Sequence, residues 1–176
     1  MSKMTTFTGR KFDPIKIKEE DICIEDIAHA LSLMCRGNGQ INYFYTVGQH
    51  SINCAKEAKA RGWSKRLQLI CLLHDASEAY IADIIRPVKP HLINYLEIEK
   101  NVMDCIHRAL QISPLTSDED LKWKEIDDAI LIYELKYLMH GEENRQLPLL
   151  SSVPDLEEKN WKNIQTEFLR LATELV

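Results

Sequence analysis

Cys71-Leu72-Leu73-His74-Asp75-Ala76-Ser77-Glu78 decides how this chain of 176 residues is read. An imidazole and a carboxylate follow directly on an apolar run that belongs in a core. Burying a charge is costly unless the charge is paired or bound to a metal. A divalent cation is the simplest compensation. His74 and Asp75 differ by about 100° around a helix, so they can straddle one groove. Glu78 follows at helical spacing from both, and all three can share a face. Asp83 lies further on, near the expected end of that helix. For the pair alone, the competing reading is a solvated Asp75 and a His74 bonded to a backbone carbonyl. A face carrying His74, Asp75, Glu78 and Asp83 beside an apolar run is an uneconomical solvated surface and a sensible cation site.

Outward from this segment the apolar spacing is helical. Asp21 precedes Ile24, Ile27, Ala28, Leu31 and Met34, and the turn Arg36-Gly37-Asn38-Gly39 stops that helix. Thr46 is the expected N-cap of a second helix running to about Arg61, which Gly62 ends. Ser64 caps a third, expected to continue through His74 and end before Pro87. A fourth spans about Leu92 to Leu110. A fifth starts at Ser117 or Asp118 and ends at Gly141. A last helix covers about Asp155 to Leu175. Residues 1–20, with Gly9 and Pro14 and a weak alternation of Phe7, Phe12, Ile15 and Ile17, read as an extended arm with at most a short strand. The expectation is an all-α bundle of about six main helices over residues 21–176, one domain, preceded by that arm.

Composition limits the partners. Apolar residues make up 45% and charged residues 28%, as in ordinary soluble globules, and the net charge is −5. An acidic balance argues against a nucleic-acid duplex or an anionic membrane as main partner. A small anionic substrate stays open, because a few local cations can reverse the field inside one cleft. The cysteines Cys23, Cys35, Cys54, Cys71 and Cys105 are odd in number and irregularly spaced, with no CxxC pair. They read as free thiols, Cys54, Cys71 and Cys105 within helical apolar patterns, and imply a reducing, cytoplasmic setting. The start of the chain lacks a signal-peptide pattern, and no apolar run approaches a membrane span.

Two further segments carry candidate ligands. His50 lies early in the second helix; taken alone, a histidine there is more often a hydrogen-bonded core or surface residue than a ligand. Asp127 and Asp128 border the buried stripe of Ile126, Ile130 and Leu131. They cannot both point the same way, and position alone does not choose between them. His29 is a candidate for supporting a ligand. His91, His107 and His140 read as surface, and Trp63, Trp123 and Trp161 as packing.

Together these residues resemble the H…HD…D pattern of the HD-domain phosphohydrolases, with His50, His74, Asp75 and Asp127 in its four positions. Asp127 is preferred over Asp128 because Lys124, Glu125, Asp127, Leu131 and Glu134 match a family segment in register. Leu72-Leu73-His74-Asp75-Ala76-Ser77-Glu78, with Asp83 and Pro87-Val88-Lys89, is similar to a segment of the bacterial 5′-deoxyribonucleotidases. The segments around Phe7–Phe12, Asp26–Ser32 and Gln49–Ser51 resemble a branch that includes phage deoxyadenosine triphosphate hydrolases. The resemblance covers roughly residues 7–139. One departure stands out: Gly37 occupies a position where such relatives carry an aromatic that helps form the nucleoside pocket.

The resemblance implies metal-dependent hydrolysis of a deoxynucleotide at the α-phosphorus, releasing nucleoside with phosphate or with triphosphate. His50, His74, Asp75 and Asp127 would hold one divalent ion (Mn, Co, Fe, Zn or Ni, with Mg also allowed). Glu78 would orient the attacking water or protonate the leaving oxygen. Asp83 would bond a sugar hydroxyl or position water. Arg36 would grip phosphate, with Lys89 as a second, weaker candidate. Arg10, Lys11, Arg86 and Lys89 are the available cations for β and γ phosphates. The alternatives are a cyclic-nucleotide or dinucleotide phosphodiesterase and a non-catalytic nucleotide-binding protein. Related small enzymes assemble, so a homo-oligomer is also expected.

Overall fold

Side-chain caps set most of the helix starts. Thr46 Oγ1 accepts from Gln49 N, and the Gln49 side chain reaches back to Thr46 N, a reciprocal capping box. Ser64 caps through Leu67 N, Thr116 pairs with Glu119 in a second box, and Asn160 accepts from Lys162 N. The computed structural model describes residues 3–176, so residues 1 and 2 of the expected arm lie outside the described residues. The chain forms an all-α bundle: α1 (Ile24–Leu33), α2 (Val47–Ala60), α3 (Lys65–Leu73), the single-turn α4 (Glu78–Ile81), α5 (Ile93–Ala109), α6 (Ser117–Leu138) and α7 (Trp161–Leu175). Apart from α4, these are the six main helices expected.

Four boundaries differ from the sequence reading. Asp21 does not lead into α1; it closes a 3-10 turn, its carboxylate accepting from Lys18 N. α3 does not run on toward Pro87 but stops at Leu73. There His74 Nδ1 takes the Cys71 carbonyl at 2.8 Å, and tight three-residue turns carry the chain through Ser77. α6 ends before Gly141, with Met139 extended and the Leu138 carbonyl accepting from Asn42 N. α7 starts at Trp161 because the segment before it is tied to α2. Asn53 exchanges two hydrogen bonds with the Asp155 backbone, and Gln49 Nε2 donates to the Glu157 carbonyl.

Within the expected N-terminal arm, β1 (Met4–Thr5) and β2 (Lys11–Phe12) form an antiparallel hairpin. Thr8 donates from its backbone and hydroxyl to buried Asp26, and Phe12 packs edge-on against Tyr80 in the core.

α2 is the central helix, packed by α1, α3, α6 and α7. The main core gathers Ile27, Leu31, Val47, Leu72, Leu73, Val102, Ile106 and Phe168. A smaller apolar cluster of Cys54, Ala58, Cys71, Ile126 and Ile130 joins α2, α3 and α6. All five cysteines are free, and Cys54, Cys71 and Cys105 are buried as expected. No helix among the described residues is long and apolar enough to cross a membrane.

Glu57 fastens the segment before α7 to α2. Its fully buried carboxylate accepts from Arg61 Nε, from Ser151 N, and from Ser152 N and Oγ. Burial raises its pKa, but these donors outweigh burial and hold it below the ordinary value. Its stabilising contribution is therefore present above the unfolded-state pKa of about 4.3 and is lost as pH falls through the lower folded-state value. Glu57→Gln should destabilise the protein by about 1–3 kcal/mol at pH 7 in urea unfolding. The gap to wild type should narrow below about pH 4.

Candidate metal centre

Four side chains converge from two helices and the end of a third: His50 on α2, Asp127 on α6, and His74 and Asp75 just past α3. His50 Nε2 lies 3.2 Å from His74 Nε2, 3.0 Å from Asp127 Oδ1 and 4.0 Å from Asp75 Oδ2. His74 Nε2 lies 3.2 Å from Asp75 Oδ2 and 3.8 Å from Asp127 Oδ1. An ion with donors at about 2.1 Å separates neighbouring donors by about 3.0 Å at right angles and about 3.4 Å in a tetrahedron. Three of the five separations fall in that range, and the other two, 3.8 and 4.0 Å, lie beyond it.

The histidines are oriented for it. His50 Nδ1 meets Glu134 Oε1 at 2.7 Å, and His74 Nδ1 meets the Cys71 carbonyl at 2.8 Å. Both partners are acceptors, so each Nδ1 carries the proton and each Nε2 turns a lone pair inward. Two lone pairs facing each other at 3.2 Å repel. A cation or a captured proton must lie between them. Burial and the Arg36 charge disfavour a proton on His50, but Cys54, Glu134 and Asp127 outweigh them and raise its pKa well above the ordinary value. The carboxylates answer in kind. Burial raises Asp75, but His74, Arg36 and His50 hold it far below the usual range. Asp127 is likewise depressed, the His50 and His74 imidazoles overcoming its burial. The cluster attracts positive charge.

Asp127, not Asp128, faces the histidines. Asp128 is exposed and accepts from Arg86 Nη1 at 2.5 Å. Cys54, one turn after His50 on α2, brings its thiol to 3.6 Å from His50 Nε2. His50, Cys54 and His74 form a largely buried group that could hold a metal ion. Burial raises the Cys54 pKa, so the thiol is the weaker donor unless a metal displaces its proton.

The centre opens into a cleft of about 630 Å³. All four remaining candidates line it: Arg36, Glu78, Asp83 and Lys89. They do not share one helical face with His74, because α3 breaks at Leu73 and Ala82 (φ +88) turns the chain out of α4. Arg36 is held between Asp75 Oδ2 at 3.4 Å and Glu134 Oε2 at 3.3 Å. Glu78 is buried, its Oε2 without a hydrogen-bond partner among the described residues. Burial and the Asp75 and Asp83 charges push its pKa up to about 9. Burial also raises Asp83. Lys89 Nζ bonds Glu99 at 2.6 Å and lies 4.0 Å from Glu78. The far walls are apolar: Ile41, Ile84, Ile85, Leu131, Leu135 and Met139.

The cations raised for β and γ phosphates do not gather. Arg10 donates to the Glu20 carbonyl, and neither it nor Lys11 lines the cleft; Arg86 and Lys89 line it but are engaged by carboxylates. His29 plays no part in the centre. It stacks on Phe7, meets Trp161 edge-on and bonds Gln165.

Glu134 and Tyr45 were not anticipated as site residues. Glu134 bonds His50, Arg36 and the Tyr45 hydroxyl, which donates to it at 2.7 Å. Its signal was present: it lies two helical turns after Asp127. Tyr45 gave none.

No protein-family model matches the chain. It is 36% identical over 117 residues to the uncharacterized protein YfdR of Escherichia coli K12, a match covering 66% of this chain and 63% of that protein. It is 39% identical over 106 residues to an uncharacterized protein of Rhodobacter capsulatus, covering 57% of this chain and 54% of that protein. The chain thus spans less than two thirds of the length of either relative.

Removing His74 as His74→Ala should abolish tight Mn²⁺ binding in isothermal titration calorimetry. Glu134→Ala should weaken it about 10–100-fold, since it frees the His50 ring to turn. Unchanged affinity in both variants would contradict the donor assignment.

Proposed function

We propose that this chain is a metal-dependent phosphohydrolase of the HD type that acts on nucleotides, deoxynucleotides first among them. The observation that carries the reading is the convergence of His50, His74, Asp75 and Asp127 at the ionic end of a cleft whose other walls are apolar. Such a cleft suits an anion joined to a flat, weakly polar group. Its volume of about 630 Å³ lies within the range of small-molecule sites.

The four ligands would hold one divalent ion, which supplies Lewis-acid polarisation of phosphate and a more acidic water. Arg36 supports phosphate binding. Its contacts at 3.3 and 3.4 Å are longer than tight charge-assisted bonds of about 2.7–2.9 Å, and its five-donor guanidinium keeps donor capacity toward the cleft while it stays beside Asp75 and Glu134. Glu78 is suited to deliver a proton to the leaving oxygen, because burial and the neighbouring Asp75 and Asp83 charges favour its protonated form. Asp83, on the same wall, is suited to a sugar hydroxyl or a water. Lys89, tied to Glu99, contributes positive charge at the rim.

Two details narrow the substrate. Arg86 and Lys89 already serve carboxylates, and the cleft adds only Arg36 and Arg145 to them, against Asp75, Asp83, Asp127 and Glu134. That balance favours a monophosphate over a triphosphate. Gly37 has φ +57, and a Cβ there would lie 3.3 Å from Met139 Cε. With no side chain at Gly37, the nucleoside would rest against nearby aliphatic side chains such as Ile41, Leu135 and Met139.

The purified protein, loaded with Mn²⁺ or Co²⁺, should release inorganic phosphate from deoxynucleoside monophosphates in a panel of ribo and deoxy mono-, di- and triphosphates. Release of inorganic triphosphate would overturn the monophosphate assignment. Absence of release from every nucleotide with every metal would overturn the enzyme assignment.

A further inference from the structure

Asp127 divides its two oxygens. Oδ1 faces His50 Nε2 at 3.0 Å, while Oδ2 accepts from Arg86 Nη2 at 2.8 Å. Arg86 Nη1 in turn donates to Asp128 Oδ1 at 2.5 Å. Arg86 comes from the segment between α4 and α5, whereas both aspartates lie on α6. Its side chain is 56% exposed and that of Asp128 61%, so the bridge lies at the rim of the centre. The last torsion of an aspartate is broad. α6 places the Asp127 carboxylate but does not fix the plane of the group. The planar guanidinium, gripping one oxygen of each aspartate, fixes that plane and leaves one oxygen facing inward.

We propose that Arg86, backed by Asp128, is a positioning residue for the metal centre: it holds the outer oxygen of Asp127 so that Oδ1 alone is presented to the ion. The proposal rests on the metal-centre reading above. It has a sign that simple charge does not share. Arg86 is a cation beside a cation site, so by charge alone its removal tightens metal binding. As a positioning residue, its removal weakens binding.

Calorimetric titration with Mn²⁺ separates the two. Arg86→Gln should weaken binding about 10-fold, and Asp128→Asn should weaken it by a smaller factor in the same direction. Arg86→Lys, which keeps the charge and one donor, should recover part of the loss. Thermal unfolding in chelator should match wild type for all three. Equal or tighter Mn²⁺ binding by Arg86→Gln would overturn the positioning role while leaving the metal centre intact. Should Arg86→Gln fail to fold, unchanged affinity in Asp128→Asn overturns the role. No Mn²⁺ binding by wild type would overturn both.

Discussion

Two imidazole nitrogens face each other at 3.2 Å with their opposite nitrogens already bound to acceptors. A metal ion, or a proton on His50 Nε2 that Asp127 Oδ1 accepts at 3.0 Å, removes the repulsion between them. The rest of the site follows from it. Glu134 and the Cys71 carbonyl aim the rings, Asp75 and Asp127 close the donor set, and Arg36 balances the buried carboxylates from the cleft side. Each carboxylate on its own would be a costly buried charge. Around one cation they become mutually supporting.

The fold is arranged to deliver these groups. α2 runs through the middle of the bundle and carries His50 with no exposure to solvent. α3 ends at Leu73, where the side chain of His74 satisfies a free helix-end carbonyl and turns its other nitrogen to the centre. The chain then leaves helical geometry twice, at the turns of 74–77 and at Ala82. This puts Glu78 and Asp83 on the cleft wall instead of along a helix face. The loop after α1 supplies Arg36 from the opposite side, fixed by its backbone bond to Tyr45 and by the link from Asn42 to the end of α6.

The helices were legible because their apolar periods are clear and their caps are of standard types. Thr46, Ser64 and the 117 region start helices where the pattern places them. What was hidden shares one cause, long-range side-chain bonding that overrides local pattern. α7 is shortened by Asn53 and Gln49, more than a hundred residues away. The break after Leu73 comes from one imidazole competing for a carbonyl. The four candidate ligands could be nominated from residue type and resemblance, but the choice of Asp127 over Asp128 became physical only with Asp127 Oδ1 3.0 Å from His50 Nε2 and Asp128 exposed. Glu134 was readable by its spacing. Tyr45 was not, because nothing local distinguishes a tyrosine that bonds a carboxylate from one that simply packs.

The most direct measurement is anomalous diffraction from crystals soaked in Mn²⁺ or Co²⁺. A single strong peak is expected within about 2.5 Å of His50 Nε2, His74 Nε2, Asp75 Oδ2 and Asp127 Oδ1 together. Crystals with the two imidazoles in direct hydrogen bond and no anomalous density between them, after soaking at millimolar metal, would contradict it.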